Sequence, residues 1–453
     1  MRARIYQFLI SGLLITLVGC AHTHPEVSQA NYIRVHEEGY PIDQDRQGLT
    51  PKQFDEKYIN KIIAGIDAWA EEAWNGHATK KARLLIYVHG GLNTYDEGLR
   101  SFEALLKEQN NPKAYPNLSS YYLLLINWNA DLFSSLADDM FWIRFGNRNL
   151  VAGWLTSPFL SVGYLLNSLA GAPVAYWSQM GNAFDSWNEN FNIPNETTAD
   201  RVNVGITYFA AYPIRMLSVP FIKGYGTPAW EMMKRRNDLI FSGQLRPNAY
   251  DTKHGAGLTL MERLKQRIPA KNRWKTLGCR EGELEITLVG HSMGTLVLTK
   301  LIQAHSDIHY ERILYMGAAS SIEEFEVSVL PYVTAHETSR FWSFSLATAD
   351  EARERGSFDL YERGSLLIWI DNLFERVLTP MQLRIGKYRN YERYYKQRHN
   401  EFSIRDRLCF SLFRGLPREP RKHAEFHEPE KFERILDIQR PNACPSESTS
   451  TTR

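Results

Sequence analysis

With 453 residues, the chain is long enough for up to about three average domains or for one large α/β enzyme. Its apolar fraction of 43% and charged fraction of 23% are ordinary for a globular protein. A formal net charge of +2 excludes a strongly basic protein, so we expect no nucleic acid among its partners.

The N-terminus has the layout of a cleaved export signal. Arg2 and Arg4 precede an apolar run, residues 5–18, that is too short to span a bilayer. The letters LVGC, which end at Cys20, resemble the lipobox of bacterial lipoproteins. The resemblance implies a signal peptide over residues 1–19 and a lipid on Cys20 that holds the mature protein at a membrane. An uncleaved anchor helix is the alternative.

Both ends of the mature chain are predicted to be flexible. Residues 20–50 are polar and weakly patterned, which favours a tether, and residues 441–453 are rich in Ser and Thr. By the same lipoprotein resemblance, Ala21 implies sorting to the outer membrane, facing the periplasm. His22 and His24 lie in the tether, where we interpret them as solvated side chains rather than metal ligands.

Short apolar runs alternate with longer amphipathic stretches, and this pattern predicts an α/β fold with a mostly parallel sheet and crossover helices. The predicted strands are residues 84–88, 122–127, 284–289, 313–316 and 341–346. The predicted helices are residues 59–74, 97–108, 258–268 and 295–304. The core is therefore expected in two segments, residues 51–135 and 250–440.

The long interval between these segments, residues 136–249, is predicted to be a helical insertion. Residues 149–184 contain no charged side chain, and Pro158 and Pro173 interrupt them, which favours two or three short apolar helices. Three interpretations stay open: buried helices of the domain, a transmembrane hairpin, or a lid whose apolar face meets lipid.

The run Gly290-His291-Ser292-Met293-Gly294 separates a predicted buried strand from a predicted helix. A sharp turn between a strand and a helix strains a serine at its centre and lifts the hydroxyl clear of the backbone. The flanking glycines allow neighbouring chain to approach closely. We therefore predict that Ser292 is a catalytic nucleophile.

A serine nucleophile also needs donors for the oxyanion that forms when it attacks a carbonyl group. His89-Gly90-Gly91 ends the buried strand at residues 84–88, and such a turn exposes backbone N–H groups. We assign the oxyanion hole to the N–H of Gly91, or of Leu92, together with that of Met293. His89 is predicted to orient this loop and not to act as the base.

Taken together, the strand and turn at residues 84–91, the strand at 122–128 and the serine turn resemble the α/β-hydrolase superfamily, particularly its bacterial lipases and esterases. The resemblance covers residues 81–436 without the inserted block. It implies an α/β-hydrolase fold and a catalytic triad in the chain order serine, acid, histidine. It also implies that the acid follows a late strand and that the histidine lies near the end.

For the acid, Asp350 follows the predicted strand at residues 341–346, and Asp359 and Asp371 are rivals. Many members of the superfamily carry an aspartate after the preceding strand, where this chain has Ser320 and Ser321. That departure favours Asp350, although an aspartate at a helix start is also a common cap.

For the base, the resemblance favours a histidine in the loop before the last amphipathic helix. His423 is the predicted base and His427 its rival. His399 is a third candidate, but it lies in a stretch rich in Tyr and Arg that an amphipathic solvated helix explains more simply.

These features predict a lipid-anchored serine hydrolase that cleaves carboxylic esters, of lipids above all, through an acyl-enzyme intermediate. The expected partners are the ester substrate and the membrane, and the chemistry requires neither a metal nor an organic cofactor. Two alternatives stay open: a catalytically inactive hydrolase-fold lipoprotein that binds a partner or lipid, and an amidase or peptidase with the same triad.

Overall fold

The structure of the protein, a computed structural model, describes residues 27–76, 81–144, 147–148, 150–189, 212–243, 254–270, 272–354 and 364–438. Several predictions fall outside these residues: the signal peptide at residues 1–19, the lipid site at Cys20, the tail at residues 441–453 and the candidate acid Asp359.

A sheet of eight strands forms the centre of the molecule, in the order β1-β3-β2-β7-β8-β9-β10. Its neighbours are parallel except for β6, which pairs antiparallel with β7. The strands are β1 (Tyr32–Val35), β2 (Lys81–Val88), β3 (Tyr122–Trp128), β6 (Arg273–Lys275), β7 (Glu281–His291), β8 (Arg312–Met316), β9 (Arg340–Leu346) and β10 (Leu408–Phe413), while β4 (Ile143–Arg144) and β5 (Asn147–Arg148) form a separate hairpin.

Helices flank the sheet, as the alternating pattern predicts for an α/β fold. They are α1 (Pro51–Phe54), α2 (Asn60–Gly76), α3 (Tyr95–Gln109), α4 (Leu132–Ala137), α5 (Leu150–Glu189), α6 (Tyr212–Ile240), α7 (Ala256–Lys265), α8 (Gly294–Ala304), α9 (Ile322–Ala335), α10 (Thr348–Arg353), α11 (Leu366–Trp369), α12 (Tyr388–Asn390), α13 (Lys396–Glu401) and α14 (Pro429–Ile438). The five predicted strands and the four predicted helices are confirmed.

The prediction of a flexible tether over residues 20–50 is wrong for its described part, residues 27–50. Strand β1 pairs with β3, and the side chains of Ile33 and Val35 are fully buried. Arg34 on the same strand is also buried, and its guanidinium forms an ion pair with Asp96 at 3.2 Å. A four-residue strand that contains an arginine carries too weak an apolar pattern to be recognised, and its partner lies about 90 residues later.

The prediction of two or three short helices in residues 149–184 is also wrong. Helix α5 is continuous over 40 residues, with Pro158 and Pro173 inside it. Each proline removes one backbone hydrogen bond, yet the helix continues, and it packs along α6, where Ser161 Oγ contacts Tyr225 Oη at 2.8 Å. Over the described ranges, no helix has both the length and the apolar content needed to cross a membrane.

Helix α6 is attached to the core at two places. The buried guanidinium of Arg236 donates to the carbonyl of Asn129 at 3.0 Å and pairs with Asp138 at 2.7 Å. The Trp230 indole donates to Glu375 at 2.7 Å, and Glu375 also pairs with Arg384 at 3.1 Å. Helix α6 is therefore tied to segments that follow β3 and β9.

A buried carboxyl group completes the pairing of β7 with β8. Glu311, just before β8, accepts the Ile286 backbone N–H at 2.6 Å, while its own N–H donates to the Ile286 carbonyl at 3.0 Å. Burial raises the pKa of the Glu311 carboxyl to about 8. The folded protein thus holds this group protonated at a pH where an unfolded chain releases the proton.

The Glu311→Gln variant tests this assignment. Because the pKa in the folded state lies above its ordinary value of 4.5, the stabilising effect of Glu311 is full below about pH 4.5 and is lost as the pH rises to about 8. The free energy of unfolding of the variant, relative to wild type, should therefore rise by about 1 kcal/mol per pH unit in this range. Urea denaturation at several pH values measures it. Glu337→Gln, which changes an exposed side chain, is the control, and parallel pH curves for Glu311→Gln and wild type would contradict the prediction.

Candidate active site

The candidate site lies where the parallel strands end. Parallel strands present their carboxyl ends at one edge of a sheet, and here we call it the carboxyl edge. The turn of His89 to Gly91 follows β2, Ser292 follows β7, and Gly317 follows β8. Residues 347–354 follow β9, and residues 414–427 follow β10. The sheet order therefore brings segments that are hundreds of residues apart to the same edge.

Ser292 occupies a strained turn between β7 and α8. Its φ of 51° lies in the left-handed region, which is unfavourable for a residue with a side chain. Its N–H donates to the Met316 carbonyl at 2.8 Å, and its carbonyl accepts the Ala319 N–H at 3.1 Å. The buried Ser292 Oγ has no hydrogen-bond partner among the described residues. The backbone is thus tied to β8 while the hydroxyl is uncommitted.

Glycines allow the turn after β2 to press against the serine turn. A Cβ atom on Gly90 would lie 2.9 Å from His291 Nδ1 and 3.0 Å from Ser292 Cβ. A Cβ on Gly91 would overlap the Met293 side chain, and one on Gly294 would overlap the Val88 carbonyl. Side chains at these positions would force the two turns apart, so the glycines set the distance between them.

The contact between the two turns brings the candidate donors for an oxyanion close to each other. The Leu92 N–H donates to the Ala130 carbonyl at 2.8 Å, so Leu92 is not available and that alternative is wrong. In the described part of the chain, neither the Gly91 N–H nor the Met293 N–H forms a hydrogen bond. These two uncommitted N–H groups, on neighbouring turns beside a serine hydroxyl, are therefore the candidate oxyanion donors.

His89 holds the turn after β2 in place. Its Nδ1 lies 2.9 Å from the Gly90 carbonyl oxygen, and its Nε2 lies 3.1 Å from Oδ1 of Asn127 on β3. Burial lowers the pKa of His89, so the ring is neutral near pH 7. The ring links the turn to β3, which is the orienting role that the sequence predicts.

His423, the predicted base, begins a short 3₁₀ turn, His423–His427, at the same edge. A Cβ on Gly317, whose φ is +51°, would lie 2.7 Å from His423 Cε1, so the ring packs directly on the backbone after β8. Burial, with a smaller effect of His427, lowers the pKa of His423 to about 4. The buried ring is neutral near pH 7, and within the described ranges neither ring nitrogen has a hydrogen-bond partner.

The sequence did not predict a role for His291, which links the serine turn to the base loop. Its Nε2–H donates to the His423 carbonyl at 2.9 Å. The His291 ring centroid lies 5.0 Å from that of His423 and 6.0 Å from that of His427. Burial lowers the pKa of His291 well below its ordinary value, so the ring is neutral. Its position next to the serine was the only signal in the sequence.

The segment after β9 brings carboxylates to the loop that carries His423. Asp350 does not hydrogen-bond the His423 ring. Burial raises the pKa of the Asp350 carboxyl, the nearby charge of Arg421 lowers that pKa, and the charge of Glu425 raises it. Glu354, which the sequence did not single out, accepts the His423 backbone N–H at 3.2 Å. Asp350 and Glu354 therefore both face this loop, but only Glu354 forms a hydrogen bond to His423.

Asp371, a rival candidate for the catalytic acid, has a structural role instead, because both oxygens of its carboxylate already accept hydrogen bonds. It accepts the Arg384 N–H at 3.0 Å, the Lys387 ammonium at 3.0 Å and the Asn390 amide at 2.9 Å. These contacts fix the segment that runs beside residues 318–320, where the Ile385 N–H donates to the Ser320 carbonyl at 2.9 Å. Asp371 is thus part of a buried structural network.

His399 is also placed away from the site. Its Nε2–H donates to the carbonyl of Leu408, the first residue of β10, at 2.9 Å, and the Tyr391 hydroxyl donates to its Nδ1 at 3.1 Å. The first residue of a parallel strand lies at the edge opposite to the carboxyl edge. The alternative that His399 is the base is therefore wrong.

Comparisons with known proteins add no family to this geometry, since no family model, curated protein or solved structure matches the chain. Among the residues that the structure describes, no group of three or more His, Cys, Asp or Glu side chains is arranged to hold a metal ion.

The strain at Ser292 is measurable apart from any activity. Ser292→Ala and Ser292→Gly both remove the hydroxyl, but only glycine accepts a φ of 51° without steric cost. We expect Ser292→Gly to exceed Ser292→Ala in free energy of unfolding by about 1 kcal/mol. Denaturant unfolding of the two variants under the same conditions measures this difference. Equal stabilities, or a more stable alanine variant, would contradict the strained turn.

Proposed function

We propose that the protein is a serine hydrolase with an α/β-hydrolase fold that cleaves carboxylic esters. One observation carries the proposal: an uncommitted serine hydroxyl lies in a strained strand-to-helix turn, with one uncommitted N–H group in the same turn, that of Met293, and another in the adjoining turn after β2, that of Gly91. A protein that only needs to fold gains nothing from this strain, whereas a nucleophile gains a hydroxyl held clear of its own backbone at the end of a sheet.

In the proposed reaction, Ser292 Oγ attacks the ester carbonyl carbon and His423 takes the hydroxyl proton. The N–H groups of Gly91 and Met293 hold the oxyanion, and His423 then returns the proton to the departing alcohol. Water hydrolyses the acyl-enzyme by the same steps. His423 is neutral near pH 7, because burial lowers its pKa to about 4, so its ring is free to take the proton. A base works best with a pKa near the working pH, and a carboxylate beside the ring would raise the pKa of His423 towards that range.

The base requires a carboxylate when its imidazolium forms, because a buried positive charge without a partner is costly. Asp350 remains our predicted acid, and Glu354 is a second candidate because its carboxylate already bonds the His423 backbone. Without such a partner, the same fold fits the alternative of an inactive hydrolase that binds a partner or lipid.

Lipid esters are the substrate class that we propose. The inserted helices are linked to the site: Lys223 on α6 donates to the Leu373 carbonyl at 3.0 Å, and Arg384 joins Glu375 to the Ala319 carbonyl. Ala319 in turn bonds the Ser292 carbonyl. An apolar insertion beside the nucleophile favours acyl chains over small soluble esters, and the predicted lipid on Cys20 favours a substrate in a membrane.

Labelling with a fluorophosphonate probe tests whether Ser292 is activated. We expect the wild type to be labelled, Ser292→Ala to show no labelling, and His423→Gln to react about 10²–10⁴-fold more slowly. Ser101→Ala, which removes a hydroxyl on α3, is the matched control and should react like wild type. If the correctly folded wild type resists labelling, with and without detergent, the hydrolase proposal is contradicted and the inactive binding protein is favoured.

The acid is identified by comparing Asp350→Asn with Glu354→Gln, two variants that remove one charge each from the same segment. Substitution of the residue that pairs with the imidazolium should lower kcat/KM by about 10²–10⁴-fold. Because loss of that carboxylate lowers the pKa of His423, the acidic limb of the pH profile of kcat/KM should also move to lower pH. An unchanged profile in both variants would contradict an acid at either position.

A further inference from the structure

Helix α5 has its small side chains towards the protein. Ser157 and Ser168 are buried, and a Cβ on Gly153 would overlap the carbonyl of Phe141. Ser161 meets Tyr225 on α6 at 2.8 Å between hydroxyl oxygens. At 3.6 residues per turn, these four positions lie within a sector of about 80° on one side of the helix.

The opposite side of α5 carries large apolar side chains that are between 55% and 79% exposed. On the same helical projection they also fall within about 80°, and they extend for about 27 Å along the helix. We call this surface the outer stripe. Its members are Val151, Leu155, Phe159, Val162, Leu166 and Leu169.

This arrangement reverses the usual amphipathic pattern. A surface helix of a protein in water turns its large apolar residues inward and its polar residues outward. Small residues at the helix contact and large apolar residues outside are typical of helices that contact lipid, because the surroundings are then as apolar as the protein interior. An exposed apolar surface of this size marks an interaction site.

The surroundings of the outer stripe favour lipid over a second protein. Protein interfaces are bordered by a polar and solvent-accessible rim. Residues 149–184 contain no charged side chain, so no part of α5 in that range supplies an ionic rim. An apolar surface without charged side chains fits the acyl region of a bilayer, where a charged side chain would be costly.

The short stretch of chain between the predicted lipid site and the first described residue also favours contact with lipid. Cys20, the predicted lipid site, precedes Val27 by only seven residues, and the described chain is packed from Val27 onwards. Seven extended residues reach at most about 25 Å. A lipid on Cys20 would therefore hold the folded protein against the bilayer, within reach of a surface that binds lipid.

We propose that the outer stripe of α5 docks the protein on the surface of a lipid bilayer, with its apolar side chains in the acyl region. The docking does not depend on catalysis by Ser292. It adds a second membrane contact to the predicted lipid anchor, and the two contacts together fix which face of the protein meets the bilayer.

The test uses the full chain in vesicles of phosphatidylethanolamine and phosphatidylglycerol. A fluorophore is attached at Phe159→Cys in the stripe or, as the matched control, at Leu378→Cys, which replaces another highly exposed apolar residue. Both variants carry Cys279→Ser, because Cys279 is a free, exposed thiol. Nitroxide groups on the lipid acyl chains should quench the label at position 159 at least about twofold more than the label at 378.

Further variants separate docking from catalysis, from misfolding and from dimer formation. Ser292→Ala should leave the quenching unchanged, so loss of the proposed activity and loss of docking are distinguishable. Adding Leu155→Gln and Leu166→Gln should reduce the quenching at position 159, with thermal unfolding as the check that the protein folds. Equal quenching at positions 159 and 378, or shielding of position 159 in a dimer without vesicles, would overturn the proposal.

Discussion

The contact between two backbone turns, one after β2 and one after β7, is the constraint on which the candidate site depends. Gly90, Gly91 and Gly294 leave no room for side chains between these turns. The close approach brings the Gly91 and Met293 backbones together, and the left-handed Ser292 stands beside them. Hydrogen bonds from the serine backbone to β8 then hold the strained residue in place, so the sheet supports the strain.

The same constraint reaches the histidine loop through His291. Because His291 is part of the serine turn and bonds the His423 carbonyl, a shift of the turn would also move the candidate base. Gly317 gives the His423 ring its place at the end of β8. The result is a group of buried, neutral imidazoles, which desolvation keeps unprotonated near pH 7. Neutrality is the state that a proton acceptor requires.

Helices α5 and α6 connect the candidate site with a different surface of the molecule. Helix α6 contacts the segment around Glu375, and Arg384 continues that contact to Ala319 beside the serine turn. Helix α5 lies on α6 through small residues and turns its large apolar residues outward. In the proposed function, one pair of helices would therefore meet lipid on one side and contact the site on the other.

The sequence alone predicted the features with local causes. Strands buried on both faces read as apolar runs, and the serine turn is recognisable because its glycines lie within five residues. Tertiary structure decided what depends on distant partners: β1 is a strand because β3 lies beside it, and Asp371 is excluded as the acid because Arg384, Lys387 and Asn390 occupy its carboxylate. Likewise, α5 is continuous through two prolines that the sequence pattern marked as helix breaks, and it packs along α6, which is distant in sequence. The spacing of apolar residues indicates which side of a segment must be buried, whereas the tertiary fold determines which distant residues bury it.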